Sequence, residues 1–197
     1  PLEIMVENTF NPAKNPSFKN GDACRWVLLN EKGKAIGRIA AFYNLDKSVL
    51  FEQPTGGCGF FECTDDLEAA GMLFETAVKW LKSRGMEAMD GPVNFGENYI
   101  NWGLLVEGFM QQGYGMPYNF PYYRQLFENY GFKTYFEQYC FHDDFGEYTR
   151  KLVACVRPAA ARQMARLHTH RPCVSFLFVC GGRFHVFFVF EIWQHIK

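Results

Sequence analysis

The segment 58–90 constrains the fold more than any other part of the chain. Cys58–Cys63 is a short apolar run of the kind a strand makes. Thr64-Asp65-Asp66 follows, and short polar side chains of this type accept hydrogen bonds from the open N–H groups of a helix's first turn. From there Leu67, Ala70, Leu73, Phe74, Ala77, Val78 and Leu81 recur at intervals of three and four. That spacing predicts an amphipathic helix over 66–83. A basic last turn and Gly85 close it. Met86–Asp90 then reads as a second strand. Strand, packed helix and strand joined tightly make a βαβ unit, so the fold class is α/β.

The flanks add to this unit. Residues 1–22 read as loop, with Asn11-Pro12 and Asn15-Pro16 as turn signals and Gly21-Asp22 closing the stretch. Cys24–Asn30 and Ala35–Tyr43 read as two strands of a hairpin about the polar turn 31–34. A loop carrying Pro54 and Gly56-Gly57 precedes the strand at Cys58. Residues 91–121 hold six glycines and three prolines among many Asn and aromatic residues. Loops of this length in a compact domain are usually functional, and the aromatic content argues for order. Pro121–Tyr130 reads as a short helix stopped by Gly131. Lys133–His142 alternates and reads as a strand.

Residues 151–197 differ in kind from what precedes them. Residues 1–150 carry 13 Lys and Arg against 20 Asp and Glu, whereas 151–197 carry 7 against one, Glu191. Pro158–His168 reads as a helix. Cys173–Phe190 reads as a hairpin about Gly181-Gly182, or Phe184–Gln194 as a helix; period alone does not separate the two. The acidic body argues against a nucleic-acid partner. No apolar run reaches the about 18–20 residues of a membrane span. Nor does a basic, apolar leader open the chain. Seven cysteines without a CxxC pair point to reduced thiols, a cytoplasmic setting and no metal site. His168 and His170 lack a third ligand.

Several stretches together resemble the GCN5-related N-acetyltransferase (GNAT) superfamily. The hairpin GKAIGRIAAF, the strand GFFEC feeding helix DLEAAGMLFETAVKWLKSRG, the strand MEAMDGP and the unit YYRQLFENYGFKTYF stand in that family's order. FNPAKNPSF, GFFECTDD, GPVNF, GLLVEGF and MPYNFPYY narrow the resemblance to a bacterial group with two GNAT-like halves. The resemblance covers 8–142. It implies a mixed, mostly antiparallel central sheet flanked by helices, with the family's first strand and helix expected before Pro1. It implies a GNAT-like domain over 1–150, incomplete at its N-terminus; 151–197, where the resemblance is lost, reads as an atypical basic segment, either a divergent linker to a second half or the product of a shifted reading frame or misassigned residues. It further implies acyl transfer from acyl-CoA or acetyl-CoA to a small-molecule or lipid-like amine, sphingoid bases included. A second half or a homodimer would be the partner. The alternative is a non-catalytic GNAT-like half that binds or supports.

The resemblance also assigns roles. The strand before the long helix offers backbone to the pantetheine, and the helix start cradles the pyrophosphate. Here these are Phe61 and Cys63, then Thr64, Asp65 and Asp66. The sequence departs from the family at this loop, because Asp65, Asp66 and Glu68 stand where anions are expected to bind. Glu62 stands where a carboxylate base is common, and flanking phenylalanines are expected to shield it from water. Phe127 replaces the usual acid tyrosine, and Tyr123, one turn earlier, faces the same way. Asn94 joins them as a polar group for catalysis. Asn98, Tyr99, Trp102, Tyr118, Asn119 and Tyr122 are read as the substrate lining, since polar amides among aromatics suit a pocket wall. Cys63 has no His nearby in sequence and reads as a structural thiol rather than a nucleophile.

Overall fold

The computed structural model describes residues 3–96, 102–112, 115–142 and 185–195, with the backbone alone for 139–142 and 185–195. The chain divides into two compact units. The first joins Pro1–Gln138 to Phe188–Lys197. The second is Tyr139–Phe187, whose described residues are strand ends.

The elements run α1 (Glu3–Thr9), β1 (Gly21–Leu29), β2 (Ala35–Asn44), α2 (Leu45–Ser48), β3 (Thr55–Cys63), α3 (Leu67–Lys82), β4 (Ala88–Gly91), β5 (Leu104–Glu107), α4 (Tyr123–Tyr130), β6 (Lys133–His142) and β7 (His185–His195). The sheet order is β1-β2-β3-β4-β7-β5, and β6 also pairs with β7. β3 and β4 run parallel, whereas β1–β2, β2–β3, β4–β7 and β5–β7 are antiparallel. The fold is therefore mixed α/β with a mostly antiparallel sheet flanked by helices. No helix among the described residues is long and apolar enough to cross a membrane.

Helix α3 forms where the periodicity puts it. Asp66 is its N-cap and accepts from the Glu68 and Ala69 N–H groups. Its apolar stripe, Ala70, Leu73, Phe74, Ala77 and Leu81, is buried against the sheet. Phe74 also meets α4: its ring lies 4.8 Å from Phe127 and 4.9 Å from Phe61. Such ring pairs contribute about 0.5–1.5 kcal/mol each beyond area burial. Helix α4 stops at Gly131, whose φ of +111° only glycine adopts without strain.

Three sequence expectations change. Residues 1–22 are not all loop. Glu3–Thr9 is helical, Pro16–Lys19 is a 3-10 turn, and β1 begins at Gly21. The helix was illegible because Ile4, Met5 and Val6 are consecutive rather than periodic. The turn chemistry was legible, and Asn15 caps the 3-10 turn while its amide reaches the Thr9 and Phe95 carbonyls. Second, Gly56 and Gly57 lie inside β3 rather than in the loop before it. Close packing, not a turn, demands glycine there, most sharply at Gly59, where a Cβ would stand 2.0 Å from the Val93 carbonyl oxygen. Third, β5 lies within the stretch 91–121, and its partner β7 is remote in sequence. At the far end, His185–His195 is a strand and not a helix. The helix expected at Pro158–His168 and the turn at Gly181-Gly182 lie outside the described residues.

Two glycines give a paired prediction. Gly59→Ala is expected to lose about 3 kcal/mol, because its Cβ meets backbone that cannot yield. Gly71→Ala, in α3 with nothing within 4 Å of its Cβ, is expected to gain about 0.5–1 kcal/mol. Urea denaturation reads both.

Candidate functional site

The site exists because β3 and β4 part company. They pair only at Thr55–Ala88, Gly56–Met89 and Gly57–Asp90. At Cys58 the carbonyl accepts from the Val93 N–H instead. Farther along β3, beyond the parting, lies a cavity of about 660 Å³. Phe60, Phe61 and Glu62 of β3 form one wall, and Pro92, Gly103 and Leu104 another. Met116–Phe120 and, from α4, Tyr123 and Phe127 complete it, with Met5 of α1 and Arg38 of β2.

A bulge shapes the β3 wall. The register runs from Ala40–Gly59 to Arg38–Glu62, so β3 spends one residue more than β2. Phe60 takes a φ of +51° there, a strained value for an aromatic residue. Its ring packs edge-on against Phe10 at 4.8 Å. Phe61 turns the other way, stacking on Phe74 and meeting Tyr123 and Phe127 edge-on.

Helix α4 takes the place that a strand would hold beside Cys63. The Cys63 N–H donates to the Tyr123 hydroxyl at 3.1 Å, and the Tyr122 hydroxyl donates to the Cys63 carbonyl at 2.8 Å. Burial pushes the Tyr123 hydroxyl up to about 12, only partly offset by the Cys63 hydrogen bond; nearby Tyr122, Glu62 and Cys63 add to the rise. Tyr123 is thus a neutral phenol with its oxygen accepting and its own proton available to the cavity. Tyr122 is also raised, by burial first and by the Asp65 carboxylate. Burial raises the Cys63 thiol as well, which agrees with a structural thiol.

Glu62 differs from expectation. It lines the cavity, but its side chain is 63% exposed rather than shielded by phenylalanines. It makes a 2.5 Å ion pair with Arg38, its direct cross-strand neighbour. Sequence reading missed Arg38, because only the β2–β3 register brings residues 38 and 62 opposite each other. The one charge inside the strand run AIGRIAAF was the available signal.

The remaining candidates disperse. Tyr118 and Asn119 line the cavity with Glu62 and Tyr123. Asn119 also acts as a stand-in strand residue: its side chain accepts from the Leu105 N–H and donates to the Leu105 carbonyl. Trp102 is buried, and the wall passes through Gly103 and Leu104 instead. Tyr122 acts on Cys63 rather than as wall. Asn94 is buried in a different, smaller cavity of about 120 Å³, beside Asp90 and Thr55, and does not join Glu62 and Tyr123. Asn98 and Tyr99 lie outside the described residues. Phe120, Met116 and Pro117 were not anticipated; the run MPYNFPYY was the signal that contained them.

The sequence is similar to that of a curated protein. Over 114 residues the chain is 33% identical to a bacterial ceramide synthase of Caulobacter vibrioides (strain NA1000 / CB15N). The match covers 55% of this chain and 28% of that protein's length. No family model matches the chain, and no solved structure matches it significantly.

The acyl-CoA that the family resemblance implies would need two different surroundings, one for each end. The cavity walls are mostly apolar and aromatic, which suits an acyl thioester. The start of α3 does not suit a diphosphate. Its Glu68 and Ala69 N–H groups are already bonded to Asp66, and Asp65, Asp66 and Glu68 are exposed carboxylates on one turn. An anion at a helix start needs open N–H groups and no competing negative charge. Thr64 contributes its N–H to the Ile36 carbonyl. No group of three or more His, Cys, Asp or Glu converges on a metal-sized site among the described residues.

Tyr123→Phe removes the acceptor of the Cys63 N–H and is expected to cost about 1–2 kcal/mol in urea denaturation. The sign of its pH dependence follows from a raised folded value. The Tyr123 contribution is fully present below pH 10.0 and is lost as pH rises through about 12. Wild-type chain should therefore lose more stability over that window than Tyr123→Phe, and absorbance titration of tyrosine should lose one late step in the variant. Asp66→Ala should cost about 1 kcal/mol as the α3 cap is lost.

Proposed function

We propose that this chain carries the acyl-transfer site of a GNAT-like N-acyltransferase, moving an acyl group from a thioester to an amine. One observation carries the reading: β3 and β4 pair over three residues and then separate beside an apolar cavity with Glu62 and Tyr123 on its wall. The similarity to a ceramide synthase supports it, since a ceramide is a fatty amide. In this reading 1–150 is the GNAT-like domain and 151–197 a separate segment leading toward a second half. The donor that the resemblance suggests is acyl-CoA, and the acceptor is a small or lipid-like amine.

The amine nitrogen attacks the thioester carbonyl carbon, and the carbon–sulfur bond breaks. Glu62 receives the proton that the amine loses and releases it to water. Tyr123 gives its hydroxyl proton to the departing thiolate and regains one from water. Arg38 is a positioning residue: its ion pair aims the Glu62 carboxylate. Such proton transfers contribute about 10²–10⁴-fold in rate. A thiolate leaves an ordinary thiol of pKa about 8.5, so proton transfer from a phenol near 12 is uphill and relies on contact in the transition state.

A second reading has its own support. Glu62 is exposed and ion-paired, and Phe127, at the position of the family's acid, is buried in the aromatic cluster. These favour a binding half whose partner performs the chemistry.

Titrating octanoyl thioesters calorimetrically and assaying amide formation separates the readings. For the enzyme, Glu62→Gln is expected to lower kcat by about 10²–10³-fold with thioester binding retained. Binding without turnover, unchanged by Glu62→Gln, supports the non-catalytic half. No binding of any acyl thioester sinks both.

A further inference from the structure

We infer that this site recognises its donor through the acyl end and discriminates against the diphosphate of a nucleotide carrier, so that donor affinity does not rise when the nucleotide is present. The inference rests on the acyl-transfer reading and narrows its donor to a thioester whose recognised part ends at the pantetheine-type thiol.

The argument is geometric. Among the described residues the cavity wall carries one formal cation, Arg38, and Glu62 already pairs with it. The turn 65–68 follows β3 directly, so a thioester lying along β3 would carry its more distant groups toward it. There the Asp66 carboxylate occupies two of the N–H groups that an incoming phosphate would need, at 2.9 and 3.2 Å. Asp65 and Glu68 leave no neutral approach on the same turn. The Thr64 N–H to Ile36 carbonyl bond brings Lys34 toward this end of the sheet, and among the described residues one ammonium against three carboxylates leaves the turn net negative. The basic residues of α3, Lys79 and Lys82, lie in its last turn, about 16 Å or more along the axis from Glu68, too far to contact a phosphate at the helix start. Asp65 acts on the Tyr122 hydroxyl that holds Cys63, so the negative turn is electrically close to the parting of the strands.

The test compares three ligands with the 197-residue chain by calorimetry at low salt: octanoyl-CoA, octanoyl-N-acetylcysteamine and free CoA. The expected result is that the N-acetylcysteamine thioester binds at least as tightly as the CoA thioester and that free CoA does not compete. Raising the ionic strength should improve the CoA thioester alone. The double variant Asp65→Asn with Glu68→Gln keeps the Asp66 cap and therefore the helix. It should tighten octanoyl-CoA by about tenfold and leave the N-acetylcysteamine thioester unchanged. A tenfold or greater preference of wild type for the CoA thioester, competition by free CoA, or no change in preference in the double variant overturns the inference while leaving acyl transfer standing. Failure of both thioesters to bind overturns the acyl-transfer reading, and this inference falls with it.

Discussion

A strand's peptide groups must find partners or water, and a strand that loses its neighbour part-way along creates the opening that a ligand can use. On β3 the loss begins after Gly57. The Cys58 carbonyl turns to Val93, and five residues on, Cys63 takes both its partners from the hydroxyls of Tyr123 and Tyr122, at and just before the start of α4. Between them the edge of β3 fronts a cavity instead of a strand. The positions of α4, of the 116–120 segment and of Phe60 all answer to that one departure from regular pairing.

The aromatic cluster makes the opening durable. Phe61, Phe74, Phe127 and Phe132 interlock at centroid distances near 5 Å and tie β3, α3 and α4 into one packed body. Phe127 illustrates the trade involved. A phenol in its place would bring a proton but also a polar atom that this core would have to satisfy. Tyr123, one turn earlier, faces the cavity and carries the hydroxyl where Cys63 can use it. A strained Phe60 backbone is the local cost of turning the wall outward, offset by the surrounding packing.

Legibility in the sequence followed the range of the interaction. Helix α3 was readable to within a residue because its cap, its period and its glycine stop are all local. So were β6 and the α4 stop at Gly131; the β1–β2 hairpin was legible as a hairpin, although β1 begins at Gly21 rather than Cys24. Strand β5 was not, since four residues with no period become a strand only when β7, some eighty residues on, lies beside them. Tyr123, Glu62, Tyr118 and Asn119, singled out from neighbouring motifs, line one cavity. Arg38 was not, because its meeting with Glu62 is a fact of register. Asn94 was grouped with the wrong cavity because nearness in sequence to the loop did not reveal which side of the packed β3–β4 junction it occupies.

The sequence by itself determined the elements whose causes lie within a few residues: the amphipathic stripe of α3, the Asp66 cap, the acidic turn that follows β3, and the absence of a phenol at 127. Tertiary structure alone decided that β3 and β4 separate after three pairs, that Glu62 meets Arg38 in the open, and that two tyrosines hold Cys63. Those outcomes depend on packing between segments far apart in the chain. Glycines at 56, 57 and 59 permit the close approach, but only their neighbours, Leu81, Phe42 and Val93, give the approach its shape.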